Sequence, residues 1–205
     1  MKGQYTDYGC YSGKRWFSYA HQLHAIEELA PKSVLEIGVG AGMVAACLKC
    51  SRVSATTMDI DASLCPDHVG SVTCMPFADA SFDAVCCCQV LEHLPYDQFA
   101  AALREIRRVC TSGAVISLPD VGRQVCLNLR LPKVGRVSWD WQLPGTRRMT
   151  PHTHASLAEM GHFWEISYSG QSLRQVCNEI KRTGFHIRRT WRVPEFEWHR
   201  FFLLV

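Results

Sequence analysis

The run Val34-Leu35-Glu36-Ile37-Gly38-Val39-Gly40-Ala41-Gly42 constrains this chain more than any other feature. The stretch 33–37 is short, apolar and partly β-branched, which reads as a strand, and it passes through G-x-G-x-G into a helical stretch carrying Val44, Ala45 and Leu48. Glycines lacking Cβ allow a tight turn and a close approach of backbone to a ligand, and the helix that follows offers unpaired N–H groups. Taken alone, such a turn serves equally well as a structural strand-to-helix connection, and the related G-x-G-x-x-G spacing marks dinucleotide sites.

The rest of the pattern builds an alternation around that turn. Trp16, Ala20, Leu23 and Ile26 recur at helical spacing over 14–30, and Pro31 follows where the helix must stop. Strands are expected at 53–58, 72–74, 82–88 and 114–118, with a helix over 97–109 marked by Phe99, Leu103 and Ile106. Leu173, Val176 and Ile180 stripe a further helix that Gly184 ends; 185–191 and 199–205 are then two strands joined so briefly that they pair antiparallel. The expected fold is α/β: a Rossmann-like, doubly wound seven-stranded sheet, mostly parallel, with an antiparallel last strand. Residues 121–170 lack sustained periodicity but hold Trp139, Trp141, Trp164, His152, His154 and His162, too aromatic for disorder, and read as an ordered lid inserted after strand five.

With 47% hydrophobic residues, a 205-residue chain forms one domain, 1–205. A formal charge of +3 is too small for a chain committed to wrapping nucleic acid. No signal-like leader or membrane-length apolar run is present, which points to the cytoplasm. Eleven cysteines are then expected as reduced thiols, several packed as small hydrophobes. Cys47-Leu48-Lys49-Cys50 has no second C-x-x-C or His pair to complete a zinc spacing, and the neighbours in Cys86-Cys87-Cys88 face opposite ways, so no metal site is expected.

Asp59, at the end of the second expected strand, stands where a carboxylate accepts hydrogen bonds from two ribose hydroxyls, though a loop acid or helix cap would look the same. Together, Glu36-Ile37-Gly38-Val39-Gly40-Ala41-Gly42, Asp59-Ile60-Asp61, Met75-Pro76-Phe77, Ser81-Phe82-Asp83, Val90-Leu91-Glu92-His93-Leu94 and Arg108-Val109 resemble, in order, the motifs of class I S-adenosylmethionine-dependent methyltransferases. The resemblance runs from about Lys32 to Pro119 and is nearest the small-molecule branch similar to the ubiquinone and menaquinone methyltransferases. It implies S-adenosylmethionine as cofactor. It also implies a cofactor site of Glu36, Gly38, Gly40 and Gly42 at the turn, Asp59 on the ribose, Ile60 over the adenine and Gln89 beside the methionine portion. Where many relatives place an adenine-binding Asp this chain has Ser71, which moves that recognition toward backbone groups near Val72, and the helix usual after the second strand is cut to a short loop containing Pro66.

Methyl transfer from a sulfonium asks mainly for in-line placement of a nucleophile, and a hydroxyl acceptor also needs a base. His93 has the chemistry for that base, against a structural role beside the cofactor. Asp120, following the fifth strand at the carboxyl edge, is a second candidate or a turn cap. Gly161-His162-Phe163-Trp164-Glu165-Ile166 gathers in His162, Trp164 and Glu165 the residue types that hold a polyol, or else anchors the lid through Trp164. Across 121–160, Arg123, Arg130, Lys133, Arg136, Arg147 and Arg148 face only Asp140 and Glu159, an excess of +4 that suits an anionic small molecule or is a solvated surface. The reading is O-methylation of a small polar metabolite such as a sugar. Its alternatives are an N-methyltransferase or nucleic-acid methyltransferase, with Cys88-Gln89-Val90-Leu91 in place of Asn- or Asp-Pro-Pro-Tyr weighing only against amino methylation of bases, and a cofactor-binding interaction protein without turnover.

Overall fold

The computed structural model describes residues 13–133, 135–142, 157–168 and 170–205. Its strands are β1 (Ser33–Ile37), β2 (Ser54–Asp59), β3 (His68–Val69), β4 (Phe82–Cys88), β5 (Cys110–Pro119), β6 (Gln124–Leu131), β7 (Gly135–Gln142), β8 (Ile187–Val193) and β9 (Phe196–Leu204). The helices are α1 (Gly13–Glu27), α2 (Met43–Cys50), α3 (Phe99–Val109) and α4 (Leu173–Arg182). Seven strands form one sheet in the order β3-β2-β1-β4-β5-β9-β8, in which β9 alone runs antiparallel to its neighbours. This is the Rossmann-like α/β fold expected, and none of the described helices is long and apolar enough to cross a membrane.

Alternation along the strands divides the core in two. Leu35, Ile37, Phe202 and Leu204 face a layer that includes Leu103 and Ile106 of α3 and Val176 and Ile180 of α4. Their neighbours Val34, Phe201 and Leu203 face Ala25 and Ile26 of α1 and Val44 and Leu48 of α2. The central strands β1, β4, β5 and β9 are thus apolar on both sides, as a sheet covered by helices on both faces requires. At the centre β9 comes so close to β5 that a Cβ on Gly113 would stand 2.1 Å from the Leu204 carbonyl oxygen.

Several of the recurrent motif residues are fasteners. Asp83 accepts the Lys32 and Ser33 N–H groups at 2.7 and 2.9 Å and so closes the start of β1 onto β4. Arg108 donates to the Phe77 and Met75 carbonyls at 2.7 and 3.2 Å and to Glu105, which fixes the Met75-Pro76-Phe77 loop against α3. The described cysteines are free thiols.

Two expectations need correction. The third strand lies at His68–Val69, and 71–74 is instead a turn bridged between Ser71 and Cys74. A two-residue edge strand with both side chains exposed leaves no apolar pattern to read. The segment after β5 is not without regular structure: β6 and β7 make a hairpin with Leu131 opposite Gly135. Val125, Leu127, Leu129 and Leu131 alternate along it but point to solvent. Arg147 and Arg148 of the basic excess lie outside the described residues.

Asp120, just beyond β5, is fully buried and holds the end of the sheet together. Arg192 of β8 and Arg200 of β9 each approach its carboxylate to 2.6 Å. Its Oδ1 also accepts the Gly122 N–H at 2.9 Å and the Ser167 hydroxyl at 3.2 Å. Burial would raise this carboxyl, but the two guanidiniums outweigh it and hold the group below the usual carboxylate range. Asp120→Ala should cost about 3–5 kcal/mol in urea unfolding, because two buried cations lose their counter-charge; a loss below 1 kcal/mol would show that solvent already compensates them.

On the other side of the sheet His199 bonds the Ser18 hydroxyl at 2.8 Å and ties α1 to β9. Burial pushes its imidazole down to about 3, with Arg15 and His162 adding in the same sense. Below the unfolded value near 6.5 the unfolded chain takes up a proton that the folded one refuses, so stability should fall as pH drops from about 6.5 toward 3. Unfolding free energies at pH 7 and pH 5 should differ by roughly 1–2 kcal/mol more in the parent than in His199→Gln; equal differences would refute this assignment.

Candidate functional site

Every expected cofactor residue lies on the carboxyl edge of the sheet or on the loops leaving it. Gly38 turns the chain out of β1 with its N–H on the Met58 carbonyl at 2.9 Å, and Gly42, at φ 71°, caps α2. Gly38 has φ +85°, and a Cβ there would lie 2.3 Å from Cγ2 of Val90, so only glycine lets the loop after β4 come this near. Gly40 is also left-handed, at φ 52°. Asp59 braces the turn from beneath: Oδ2 accepts the Val39 N–H at 2.8 Å and Oδ1 accepts the Asp61 N–H at 2.9 Å. Both oxygens keep a lone pair for a ligand.

Glu36 is nearly buried on β1, and its Oε2 has no hydrogen-bond partner among the described residues. Burial lifts its carboxyl to about 7, against the Ala45 N–H and Lys49, with Asp59 raising it further. An orphaned acceptor beside a glycine turn with free helix N–H groups is what a bound cationic amino acid moiety would satisfy. Ile60 is 72% exposed just past Asp59, an apolar surface open to a ring. Ser71 bonds Thr73 at 2.9 Å, and Val72 is buried in the same turn. Gln89 leaves β4 at φ 57°, held by its N–H on the Ser117 carbonyl at 3.0 Å and its amide on the Ser117 hydroxyl at 3.1 Å. A non-glycine residue in this region stores strain of the kind found at ligand sites.

Beyond Gln89 the chain makes a short 3-10 turn, Leu91–His93, on which the 157–168 segment is docked. The Phe163 N–H donates to the Glu92 carbonyl at 2.8 Å, and the Trp164 indole N–H donates to the Leu94 carbonyl at 3.1 Å. Trp164 is 1% exposed, with Tyr96 and Phe99 edge-on to its ring at 4.8 and 5.1 Å. Of its two sequence readings, the geometry supports the anchor. Glu165 is also buried and accepts from Nδ1 of His162 at 2.8 Å.

This docking brings His93 and His162 together, their rings edge to face at 4.8 Å. His93 Nδ1 bonds the Gly161 carbonyl at 3.0 Å. Burial lowers the His93 imidazole below its ordinary range, with the Gly161 bond opposing and His162 adding in the same sense as burial. Asp120, the second candidate, has both its oxygens committed to arginines and backbone. Sequence reasoning passed over Glu92, which is 0% exposed with neither carboxylate oxygen partnered; burial and the charge of Glu165 lift it to about 8. Its place between Leu91 and His93 was the available signal.

Residues 35–118 match the family described as the methyltransferase domain. The chain is 27% identical over 195 residues to the tRNA N(3)-methylcytidine methyltransferase trm140 of Schizosaccharomyces pombe, an alignment covering 83% of this chain and 63% of that protein, so the chain spans less than two thirds of that curated relative. Among solved structures it is similar to a Burkholderia thailandensis 1,6-didemethyltoxoflavin-N1-methyltransferase with bound S-adenosylhomocysteine (TM-score 0.59, 14% identity, 96% of this chain and 80% of that one). It is equally similar to the N-methyltransferase NodS of Bradyrhizobium japonicum in complex with S-adenosylhomocysteine (TM-score 0.59, 12% identity, 94% and 87%). At these identities the structural likeness is one of fold.

The glycine turn generates a direct comparison. Gly38→Ala meets both left-handed strain, about 1–2 kcal/mol, and the Val90 side chain, whereas a Cβ on Gly42 meets nothing within 4 Å. Denaturant unfolding should therefore show a clearly larger loss for Gly38→Ala than for Gly42→Ala, and equal losses would mean that the close approach of the two loops carries no weight.

Proposed function

We propose, for a chain that carries a class I S-adenosylmethionine-dependent methyltransferase domain, that it methylates a hydroxyl group of a small polar acceptor. The cofactor supplies a sulfonium methyl group whose leaving sulfur departs neutral. Gly38, Gly40 and Gly42 present backbone to its amino acid end, with Glu36 as the acid within reach of the turn. Asp59, held by two N–H groups, is oriented for the ribose hydroxyls; Ile60 covers the adenine, and Ser71 and Val72 border it. Gln89 flanks the methionine portion.

The observation that carries the acceptor reading is the polar cluster of Glu92, His93, His162 and Glu165, assembled past the end of β4 next to Gln89 and Val90. A hydroxyl nucleophile must give up a proton as its oxygen forms the new bond to the methyl carbon and the carbon–sulfur pair returns to sulfur. In this reading the His93 imidazole, beside Glu92 and His162, takes that proton. Trp164 holds the segment in place from within the core.

A second reading is favoured by the match to a tRNA methyltransferase: a nitrogen of a nucleic-acid base as acceptor. The excess of +4 over 121–160 is compatible with either an anionic metabolite or a phosphate backbone. Labelled S-adenosylmethionine offered with hydroxylated, phosphorylated sugars in one arm and unmodified tRNA in the other separates the two. Label should enter the sugars in alkali-stable ether linkage; incorporation into RNA alone would overturn the small-molecule proposal. Asp59→Ala should weaken S-adenosylhomocysteine binding by roughly 1.5–3 kcal/mol, about 10- to 150-fold, in calorimetry without unfolding the chain; unchanged affinity would place the ribose elsewhere.

A further inference from the structure

We propose that Glu92, His93 and His162 form a binding site for one divalent first-row transition cation, with Glu165 orienting His162 from behind. One donor atom from each of the three residues lies within 4.8 Å of the donor atoms of the other two. Both Glu92 carboxylate oxygens are buried and unpartnered. The charged form of a buried carboxyl without hydrogen bonds is costly, and a cation is the partner that stabilises it in place of the proton.

The two imidazoles are set up as ligands. Nδ1 of His93 faces the Gly161 carbonyl oxygen at 3.0 Å and Nδ1 of His162 faces Oε1 of Glu165 at 2.8 Å, so both rings carry their proton on Nδ1 and keep the Nε2 lone pair free. A histidine whose far nitrogen is bonded to a carboxylate or carbonyl is the standard supporting arrangement at metal sites. The two segments are also stitched to each other: the Phe163 N–H on the Glu92 carbonyl fixes 161–165 relative to Glu92 and His93. Bond lengths of about 2.0–2.2 Å bring ligand atoms to roughly 3–4 Å from one another, inside the 4.8 Å within which these donor atoms already lie.

Two imidazoles and one carboxylate suit Zn²⁺, Mn²⁺, Fe²⁺ or Co²⁺ rather than the all-oxygen shells of Ca²⁺ or Mg²⁺. Three protein ligands leave coordination positions open, and His93 is exposed, so the open side is reached from solvent. On the methyl-transfer reading, on which this role rests, the cation takes the His93 lone pair and replaces that residue as the activating group: an acceptor hydroxyl would occupy an open position, lose its proton to solvent and present its oxygen to the methyl carbon. The cation contributes charge and placement without changing oxidation state.

The test uses the full-length chain without an affinity tag, stripped with chelator and titrated with Co²⁺ alone. One Co²⁺ per chain is expected, with d–d absorption and no thiolate charge-transfer band. Glu92→Gln and His162→Ala should each weaken Co²⁺ binding by more than about 100-fold, and Glu165→Gln by about 10- to 100-fold. Circular dichroism confirms that each variant is folded, and S-adenosylhomocysteine affinity is measured alongside. Absence of Co²⁺ binding, binding that survives both ligand variants, or a thiolate band reporting capture by the cysteines overturns the proposal. Loss of cofactor binding with Co²⁺ binding intact would instead count against the methyl-transfer reading and leave the metal site standing.

Discussion

The meeting of Asp120 with Arg192 and Arg200 is the interaction on which the right half of this molecule depends. Three charges removed from water are costly one by one and more tolerable as a set, because both guanidiniums share the one carboxylate and its lone pairs are filled, leaving a net charge of +1. The geometry is therefore all or nothing. It requires β5, β9 and β8 to be in register at their ends, and it requires the 165–168 stretch to lie close enough for Ser167 to reach Oδ1. A parallel bridge between Asp120 and Ile166 adds backbone bonds to the same junction.

From this junction the path to the polar cluster is short and rigid. Ile166 continues directly to Glu165, Trp164 and His162, and this segment is fastened to the stretch after β4 by three hydrogen bonds and by aromatic packing. Gln89, left-handed and clamped to Ser117, sets the direction in which the chain leaves β4. The cofactor half is built differently. There a single carboxylate, Asp59, organises two loops through backbone N–H groups, and close packing of Gly38 on Val90 brings the two halves side by side.

What could be read in the sequence follows from the range of the forces involved. The turn at Gly38 to Gly42, the strands on either side and α3 announce themselves within a dozen residues through periodicity and glycine chemistry, and they stand where expected. β3 did not, because two exposed residues at a sheet edge carry no pattern. β6 was overlooked although Val125, Leu127, Leu129 and Leu131 alternate, since its apolar side chains face solvent and belong to neither core layer. Asp120 and Trp164 were singled out by residue type, but what each does in the fold depends on partners far along the chain: Arg192 and Arg200 for the first, Leu94 for the second. The expectation of no metal site drew on thiols and local spacings, whereas the proposal of one draws on a cluster assembled by the fold. Glu92 and His162 meet through tertiary folding, beyond the reach of any spacing rule.

The position of β9 bears on how the chain comes to be assembled. It is made after β8 yet inserts between β8 and β5, so neither neighbour has its final hydrogen-bonding partner until β9 has been synthesised. Through that interval β5 presents an open edge beside an apolar surface, the condition that invites pairing with another chain. Gly113 then lets β9 close on β5 at a separation that a side chain would forbid. The last-formed strand thus acts as a bolt, and nascent chains stalled before it should be held in solution by chaperones rather than by their own fold.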